Sequence, residues 1–487
     1  MTKNRIITDT KDRIIIMGCK NMKKINLLAA AVLAAGALSS SAFADYTPNA
    51  YFGGYFRSGV MHSDSGRSPK YNVNKVGRLG NENDTYGEIV LGADVAKVDN
   101  TVWTVNTRVA LSTDHNKDWQ TQTGSNGEKT DVAFREFWLN VKGICSWDAD
   151  ASLWAGKRFY RREDIHITDM YYHDISGMGA GIENLTLGSG KFSAAWIRQD
   201  DNTKYEWKYD TIISDFTLPT YVSLDKVDLE YDLPAWDGAN FEFRTTFFIP
   251  TRDSNDSWKD LTKAKNEFKG AQLYTVELSQ GYSLGWNKTV VQYFHGSNAD
   301  WSAFGTGNWL NYDGSSNKAH RWSLINMGET HFTDTVGMFH VLYGTTSDGY
   351  DNNLNSTNYT AKKSDKAVSF VVRPYVKLTK MSRIYAELGW FAQSTKKFNK
   401  GNEGTYNETD HGSKYTIAYA LTPDAGNFWS RPELRFFVSY LKGKDGSDIS
   451  SYGDTKKWKR TVGDVVVQSG GSKDSNYIFG VQAEAWW

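Results

Sequence analysis

The sequence predicts an all-β protein built as a transmembrane antiparallel β-barrel, and three observations support this. Segments with period-two alternation recur along the chain, for example at residues 103–110, 241–248 and 434–441, separated by stretches rich in Gly, Asn, Asp and Ser. No segment after residue 44 has helical periodicity, and no change in composition marks a second domain. A soluble protein of 487 residues would normally need several domains, so one large closed sheet explains this continuity better.

Composition excludes several classes of protein. The 56 Lys and Arg residues balance the 56 Asp and Glu residues, so the bulk positive charge of a nucleic-acid binder is absent. The two cysteines, Cys19 and Cys145, cannot build a disulfide scaffold or a Cys-based zinc site. The one long apolar run lies near the N-terminus, which excludes a polytopic helical membrane protein. We expect no nucleic-acid partner, no cofactor and no catalytic metal.

The N-terminal apolar run has the features of a secretory signal peptide. Met22, Lys23 and Lys24 provide the positive start, residues 27–38 the apolar stretch, and Ala42-Phe43-Ala44 the small-residue cleavage site. We therefore expect an upstream extension without function at 1–21, a signal peptide at 22–44 and a single barrel domain at 45–487. A lipid-attachment site at Cys19 is the alternative, although the apolar stretch before it is short.

The last predicted strand separates a lipid face from a water face. One face runs in alternation from Tyr477 to Trp487 through Phe, Val and Ala, and the other runs from Ile478 to Trp486 through Gly, Gln and Glu. An apolar face with aromatic residues at both ends is typical of a lipid-facing strand. A strand of a soluble sandwich also alternates, but the signal peptide and the absence of helices favour the membrane.

Aromatic residues share the predicted water face with charged residues in three strands. The pairs are Trp486 with Glu484, Tyr55 with Arg57, and Tyr86 with Glu88. A sugar ring has an apolar CH face, which an aromatic plane can cover, and a rim of hydroxyl groups, which charged side chains can bind. The pattern predicts weak, successive carbohydrate sites, unless these rings merely fill a narrow barrel.

Residues 157–174 are far more charged than their surroundings and contain several aromatic residues. The segment cannot face lipid, since a basic residue near the bilayer midplane costs about 2–4 kcal/mol. It is either a solvated outer loop or a loop folded into the pore as a constriction.

Several motifs closely resemble the maltoporin family of sugar-specific outer-membrane porins. They are L-W-A-G-K-R-F-Y at 153–160, D-I-S-G at 174–177, R-L-G-N-E at 78–82, W-S-R-P-E at 429–433 and E-A-W-W at 484–487. The similarity runs from about Tyr51 to Trp487. The resemblance implies an 18-stranded antiparallel barrel with an inward-folded constriction loop, although the length would also fit roughly 16 strands.

The resemblance also implies function, partners and location. The expected function is facilitated diffusion of maltose and maltodextrins through the outer membrane of a Gram-negative cell by a homotrimer that contacts the lipid bilayer and lipopolysaccharide. Another oligosaccharide, or general diffusion, is the alternative. Arg162 and Tyr171, which the sucrose-type relatives replace, remain here and favour the maltodextrin type.

The family's functional residues carry over onto three sets of positions. The aromatic slide maps onto Tyr55, Tyr86, Trp119, Tyr274 and Trp486. The constriction maps onto Tyr171, and the polar track maps onto Arg57, Arg78, Glu88, Arg135, Arg162, Asp164, His166 and Asp169. One further aromatic rung is expected at Ala367 or Val368, where it is missing. Arg135 rests on the resemblance alone, since Phe137 and Leu139 share its parity.

Enzyme motifs have weaker support. G-Y-S-L-G at 281–285 fits the nucleophile elbow of hydrolases, but a strand-like segment follows it where the elbow needs a helix. We therefore expect no enzymatic activity. A hydrolase carried on a barrel and an adhesin or phage receptor that uses only its loops remain as alternative functions.

Overall fold

The computed structural model describes residues 49–64, 72–113, 130–209, 216–252, 269–300, 304, 316–350, 360–399, 404–443, 459–462, 465–468 and 475–487. Within these residues, eighteen strands form one antiparallel sheet, which closes where β1 pairs with β22. The predicted all-β barrel with 18 strands is thereby confirmed. No helix in this part of the chain is long and apolar enough to cross a membrane.

The barrel strands follow one another around the wall in chain order. They are β1 (Asn49–Ser63), β2 (Thr85–Val98), β3 (Thr101–Thr113), β4 (Thr130–Lys142), β5 (Ser152–Arg158), β8 (Gly177–Leu187), β9 (Gly190–Tyr209), β10 (Phe216–Pro234), β11 (Ala239–Arg252), β12 (Ala271–Tyr282), β13 (Gly285–Gly296), β14 (His320–His331), β15 (Val336–Asp348), β16 (Thr360–Lys377), β17 (Ser382–Asn399), β18 (Gly404–Leu421), β19 (Glu433–Gly443) and β22 (Ser475–Trp486).

Two short hairpins lie outside the wall. Strands β6 (Glu163–Ile165) and β7 (Met170–His173) pair between β5 and β8, and β20 (Lys459–Val462) pairs with β21 (Val465–Gln468) between β19 and β22. A one-turn helix, Val73–Val76, follows β1, and 3-10 turns occupy His166–Thr168 and Ser297–Asp300.

Most connections at one rim of the barrel are short, although the one after β18 is longer, and most of the long connections start from the other rim. Asp99 and Asn100 join β2 to β3, and Ser283 and Leu284 join β12 to β13 at the short-turn rim. The connections after β1, β3, β5, β11, β13, β15 and β19 are long and start from the other rim. Bacterial outer-membrane barrels turn the short connections toward the periplasm and the long loops toward the exterior.

Alternation along the strands gives the wall an apolar outer face and a polar inner face. In β1, Phe52 and Val60 point outward and are 61% and 70% exposed, whereas Arg57 and Ser63 are buried inside. In β22, Tyr477 and Phe479 are exposed and Gln482 and Glu484 are buried, as the sequence predicts.

Two loops fold into the barrel and pack against the inner face of about half the wall. Together they form an apolar core. Val76 and Leu79 follow β1, and Ile165, Ile167 and Met170 follow β5; all five pack into one buried cluster with inward residues of β13 to β19. Gly389 permits this approach, because a Cβ there would collide with the carbonyl oxygen of Val76.

Buried ion pairs lie beside the apolar core and fix the first loop to the wall. The Glu387 carboxylate accepts hydrogen bonds from the Leu79 backbone N–H at 3.0 Å, from the Lys414 ammonium at 2.6 Å and from the Arg373 guanidinium at 2.6 Å. All three charged side chains are buried, so each charge depends on the others for compensation.

We expect Glu387→Gln to lower the free energy of unfolding by about 3–5 kcal/mol, because two buried cations would lose their counter-charge. Chemical denaturation of the protein folded in liposomes measures this change. The matched control is Glu408→Gln, because Glu408 pairs with Lys397 on an exposed surface and such pairs contribute about 1 kcal/mol or less. Equal losses in the two variants would contradict a supporting role for the buried network.

Candidate functional site

The charged segment between β5 and β8 folds into the barrel. We call residues 159–176 the constriction loop. At its base, the Tyr160 backbone N–H donates to the Ser176 hydroxyl at 3.2 Å, and the Ile175 N–H donates to the Tyr160 carbonyl at 3.3 Å. Its inner part meets the first loop, where the Arg78 N–H donates to the Ile167 carbonyl at 2.9 Å. Of the two predicted placements, the structure therefore has the loop inside the pore.

Tyr172 docks the constriction loop on the opposite wall. Its buried hydroxyl donates to the Glu277 carboxylate on β12 at 2.7 Å, and the side chain of Gln292 on β13 donates to its carbonyl at 2.9 Å. Lys288 pairs with Glu277 at 2.5 Å. These contacts fix the position of the adjacent Tyr171.

Charged residues hold the loop's flank against β10 and β11. The Arg161 guanidinium lies 2.6 Å from a Glu230 carboxylate oxygen, and Arg244 lies 2.7 Å from the same carboxylate. His173 is fully buried nearby, and its ring nitrogens have no hydrogen-bond partner among the described residues. Burial, followed by the charges of Arg244 and Arg161, holds the pKa of the His173 imidazole well below its usual range.

Arginine side chains stack on aromatic rings in and beside the constriction loop. The Arg162 guanidinium lies 3.9 Å from the ring centroid of Tyr171 and 4.5 Å from that of Phe159. The Arg135 guanidinium also stacks on Phe159, 4.8 Å from the centroid of its ring. In the pairing of β3 with β4, Arg108 faces Glu136 and Val109 faces Phe134, so Arg135 has no partner residue on β3. This β-bulge explains the irregular alternation of the sequence there.

Three predicted slide residues lie on neighbouring strands at the barrel closure. The rings of Tyr86 and Tyr55 are 6.1 Å apart, and Tyr55 faces Trp486 across the β1–β22 pair. The Tyr55 hydroxyl donates to Glu484 at 3.0 Å and accepts from Arg78 at 3.1 Å. Rings and charged groups therefore lie side by side.

The row of rings continues through two residues that the sequence analysis missed. Trp429, in the turn after β18, lies 6.5 Å from Trp486 and 5.9 Å from Phe339. Phe339 is buried and lies 5.6 Å from Trp286 at the start of β13. Trp429 belongs to the W-S-R-P-E motif, which was a usable signal, whereas nothing local in the sequence marks Trp286.

The structure corrects the expectation that the aromatic row lacks a ring at Ala367 or Val368. Ala367 faces inward but belongs to the buried cluster with Phe304 and Phe391, and Val368 has the opposite parity. The ring next to Trp486 is that of Trp429, so the row has no gap at this point.

The structure also corrects the assignment of Tyr274 to the aromatic slide. On β12, Leu273, Thr275 and Glu277 are buried on the inner face, and Tyr274 is 43% exposed on the other face. Its ring stacks on Tyr293, 6.3 Å away on the outer surface. The alternation of the strand thus excludes Tyr274 from the slide. Trp119 lies outside the described residues.

Several residues of the predicted polar track are paired with charged neighbours. Arg57 binds both carboxylate oxygens of Asp84 at 2.7 Å and lies 3.6 Å from Asp169. Arg78 pairs with Glu82 at 2.8 Å and with Glu484 at 3.2 Å. Glu88 pairs with Arg108 at 2.6 Å and accepts from the hydroxyl of Tyr86.

Asp164 and His166 differ in their surroundings. Asp164 is exposed to the lumen, and desolvation by the barrel and the charge of Asp169 raise the pKa of its carboxyl. His166 packs between Trp429, 5.0 Å away, and Trp486, 5.7 Å away. Burial and then Arg78 hold the pKa of its imidazole well below the usual range, so it supports the rings as a neutral group.

The hydrolase motif adopts no catalytic geometry. Ser283 lies in the short turn between β12 and β13, and both neighbours of that turn are strands. A nucleophile elbow requires a strand, a sharp turn and a helix.

Comparison with known proteins agrees with this architecture. The sequence profile of the LamB porin family matches residues 50–487. The chain belongs to the LamB porin family. It is 35% identical to Maltoporin 1 of Klebsiella pneumoniae over 463 residues, which cover 94% of this chain and 97% of that protein. It is 34% identical to Maltoporin 2 of Yersinia pestis, with coverage of 90% and 93%. Family and fold identify an outer-membrane porin, that is, a channel.

Two solved structures align with most of this chain at low sequence identity. OmpT of Vibrio cholerae has a TM-score of 0.39 and 12% identity, covering 90% of this chain and 98% of that chain. OccAB2 of Acinetobacter baumannii has a TM-score of 0.45 and 8% identity, covering 90% and 98%.

The buried histidines of the constriction loop predict acid sensitivity. In the unfolded chain a histidine pKa returns to about 6.5, whereas His166 and His173 resist protonation in the folded protein. Below about pH 6.5 the unfolded chain therefore binds more protons, and the free energy of unfolding falls as the pH drops. We expect His173→Phe to flatten this dependence, measured by chemical denaturation at a series of pH values.

The same substitution at the exposed His62 is the control, and it leaves the pH dependence of unfolding as in the parent protein. A His173→Phe variant with the parent's slope would contradict the assignment of a neutral, buried imidazole.

Proposed function

We propose that the protein carries out facilitated diffusion of maltose and maltodextrins along a slide formed by Tyr86, Tyr55, Trp486, Trp429 and Trp286. The observation that carries this proposal is the row of ring contacts, which starts within the barrel and ends at the short-turn rim. Trp119 is proposed to extend the slide at the long-loop rim.

A sugar is bound in two ways, by stacking on aromatic rings and by hydrogen bonds. The apolar face of each glucose unit lies against a ring, and its hydroxyl rim exchanges hydrogen bonds with the polar track beside it. Among the charged members of the track, Arg135, Arg162, Asp164 and Asp169 keep solvent-accessible surface. Because neighbouring rings offer similar contacts, the chain moves from one shallow site to the next without a chemical step.

The choice of maltodextrins rests on two observations. The two relatives compared above are named maltoporins. Tyr171 and Arg162, which the resemblance links to a narrow constriction, stack on each other at 3.9 Å. A sugar porin for another oligosaccharide, and a general diffusion porin, are the alternatives that the experiment below separates.

The proposal includes the maturation and assembly of the chain. Residues 22–44 act as the signal peptide, residues 45–487 form the barrel domain, and residues 1–21 have no function in the mature protein. By resemblance to the family, three copies assemble into a homotrimer.

Ion current through the protein in a planar bilayer tests the function directly. We expect maltohexaose to block this current in a saturable manner, because an occupied slide obstructs the path of the ions. A conductance that maltohexaose leaves unchanged would reject the sugar channel and leave a general porin.

Trp429→Ala tests the revised slide. Loss of one aromatic contact of about 0.5–1.5 kcal/mol weakens maltohexaose block roughly 2- to 10-fold, as measured by titrating the current. Tyr274→Ala is the matched control, because Tyr274 lies on the outer face and leaves the block unchanged. Weaker block in the control, or full affinity in Trp429→Ala, would contradict this slide.

A further inference from the structure

Aromatic residues form a belt on the outer face of four neighbouring strands. Tyr415, Tyr440 and Tyr477 face one another across β18, β19 and β22, with ring centroids 6.4 Å and 4.8 Å apart. Leu388 extends this row onto β17, and the exposed Trp390 stands one outward position further along that strand, toward the long loops. Aromatic belts of this kind mark the boundary between hydrocarbon and headgroups.

Lysine side chains stand on the same outer face, beyond the belt toward the long loops. Lys442 follows Tyr440 on β19, Lys366 faces Ser394 across the β16–β17 pair, and Lys396 is the next outward residue of β17. Lys366 and Lys442 are exposed, and Lys396 is half-buried.

No acidic residue of these strands points outward beside the lysines. Alternation directs no Asp or Glu outward from the described parts of β16, β17, β18 and β19, since Glu408 and Asp410 share the inward parity of Lys414. The outward Asp348 of β15 pairs with His320 at 2.8 Å. Within the described residues the three lysines form no ion pair.

The charged patch borders an apolar groove. A cavity of about 520 Å³ here is lined by the outward residues Trp390, Ala392, Val368, Lys366 and His411, and by residues of inward parity that include Gln393 and Asp410. Asp410 lies 3.5 Å from the Lys75 ammonium. An amphiphile with an anionic head and acyl chains fits this order, with its head at the lysines and its chains along Trp390 and Leu388.

We propose that the outer face of β16 to β19 binds lipid A, the phosphorylated glycolipid of the outer leaflet, through Lys366, Lys396 and Lys442. The proposal rests on charge complementarity and on the outer-membrane location of the family. It does not depend on sugar transport, because none of these residues faces the lumen.

Binding of lipid A to the purified protein in detergent micelles, followed by native mass spectrometry, tests the site. The triple variant Lys366→Gln, Lys396→Gln, Lys442→Gln should bind lipid A roughly 100-fold more weakly, given about 1 kcal/mol for each lysine. The matched control replaces Lys97, Lys142 and Lys380, three exposed lysines at the short-turn rim, and keeps full affinity.

Two lipid probes make the assignment specific. Lipid A without its phosphates should lose its preference for the parent protein over the triple variant, since only the phosphates meet the lysines. Equal binding of lipid A by parent and triple variant would overturn the proposal, and so would equal affinity of the parent for phosphatidylglycerol. Maltohexaose block should be the same in the triple variant and the parent, so failure of this site and failure of the sugar channel are distinguishable.

Discussion

Alternation of side chains in a closed sheet is the constraint on which the rest of the structure depends. Closure leaves each wall residue two choices, lipid or lumen, and neighbours in sequence take opposite choices. Tyr55 therefore meets Glu484 inside the barrel while Phe56 is exposed outside. The same rule puts Glu277 within reach of Tyr172 and turns Tyr274 away from it. The proposed slide and the outward-facing surface are two consequences of one periodicity.

That periodicity is why much of the fold was predictable from the sequence. The faces of β1, β2 and β22 follow directly from alternation, and the charged constriction loop could only avoid lipid. Tyr274 shows where a resemblance misled, because its parity with Val276 and Leu278 already indicated the outer face. The direction of the Arg135 side chain was harder to predict, because a β-bulge shifts the alternation by one residue and leaves no clear sequence signal.

Contacts between distant segments account for what could not be predicted. Trp429 lies in a turn, where alternation gives no direction, and it joins the row of rings because Trp486 and His166 pack against it. The depth of the loops likewise depends on pairings such as Arg78 with Ile167 and Leu79 with Glu387, which join residues far apart in the chain. No local pattern contains that information.

The proposed polar track divides into a supporting part and an accessible part. Arg57 and Arg78 are buried, and carboxylates already occupy their donors, so a sugar hydroxyl would have to displace an ion pair to bind them. Arg162 is partly exposed instead, with its guanidinium 3.9 Å from the Tyr171 ring centroid and a longer ion pair to Asp174 at 3.5 Å, and Asp164 is exposed to the lumen. At Asp164 a sugar hydroxyl exchanges with water, which costs little free energy in either direction. Rapid passage requires this balance, because a group that bound the sugar as strongly as Glu484 binds Arg78 would hold it in place.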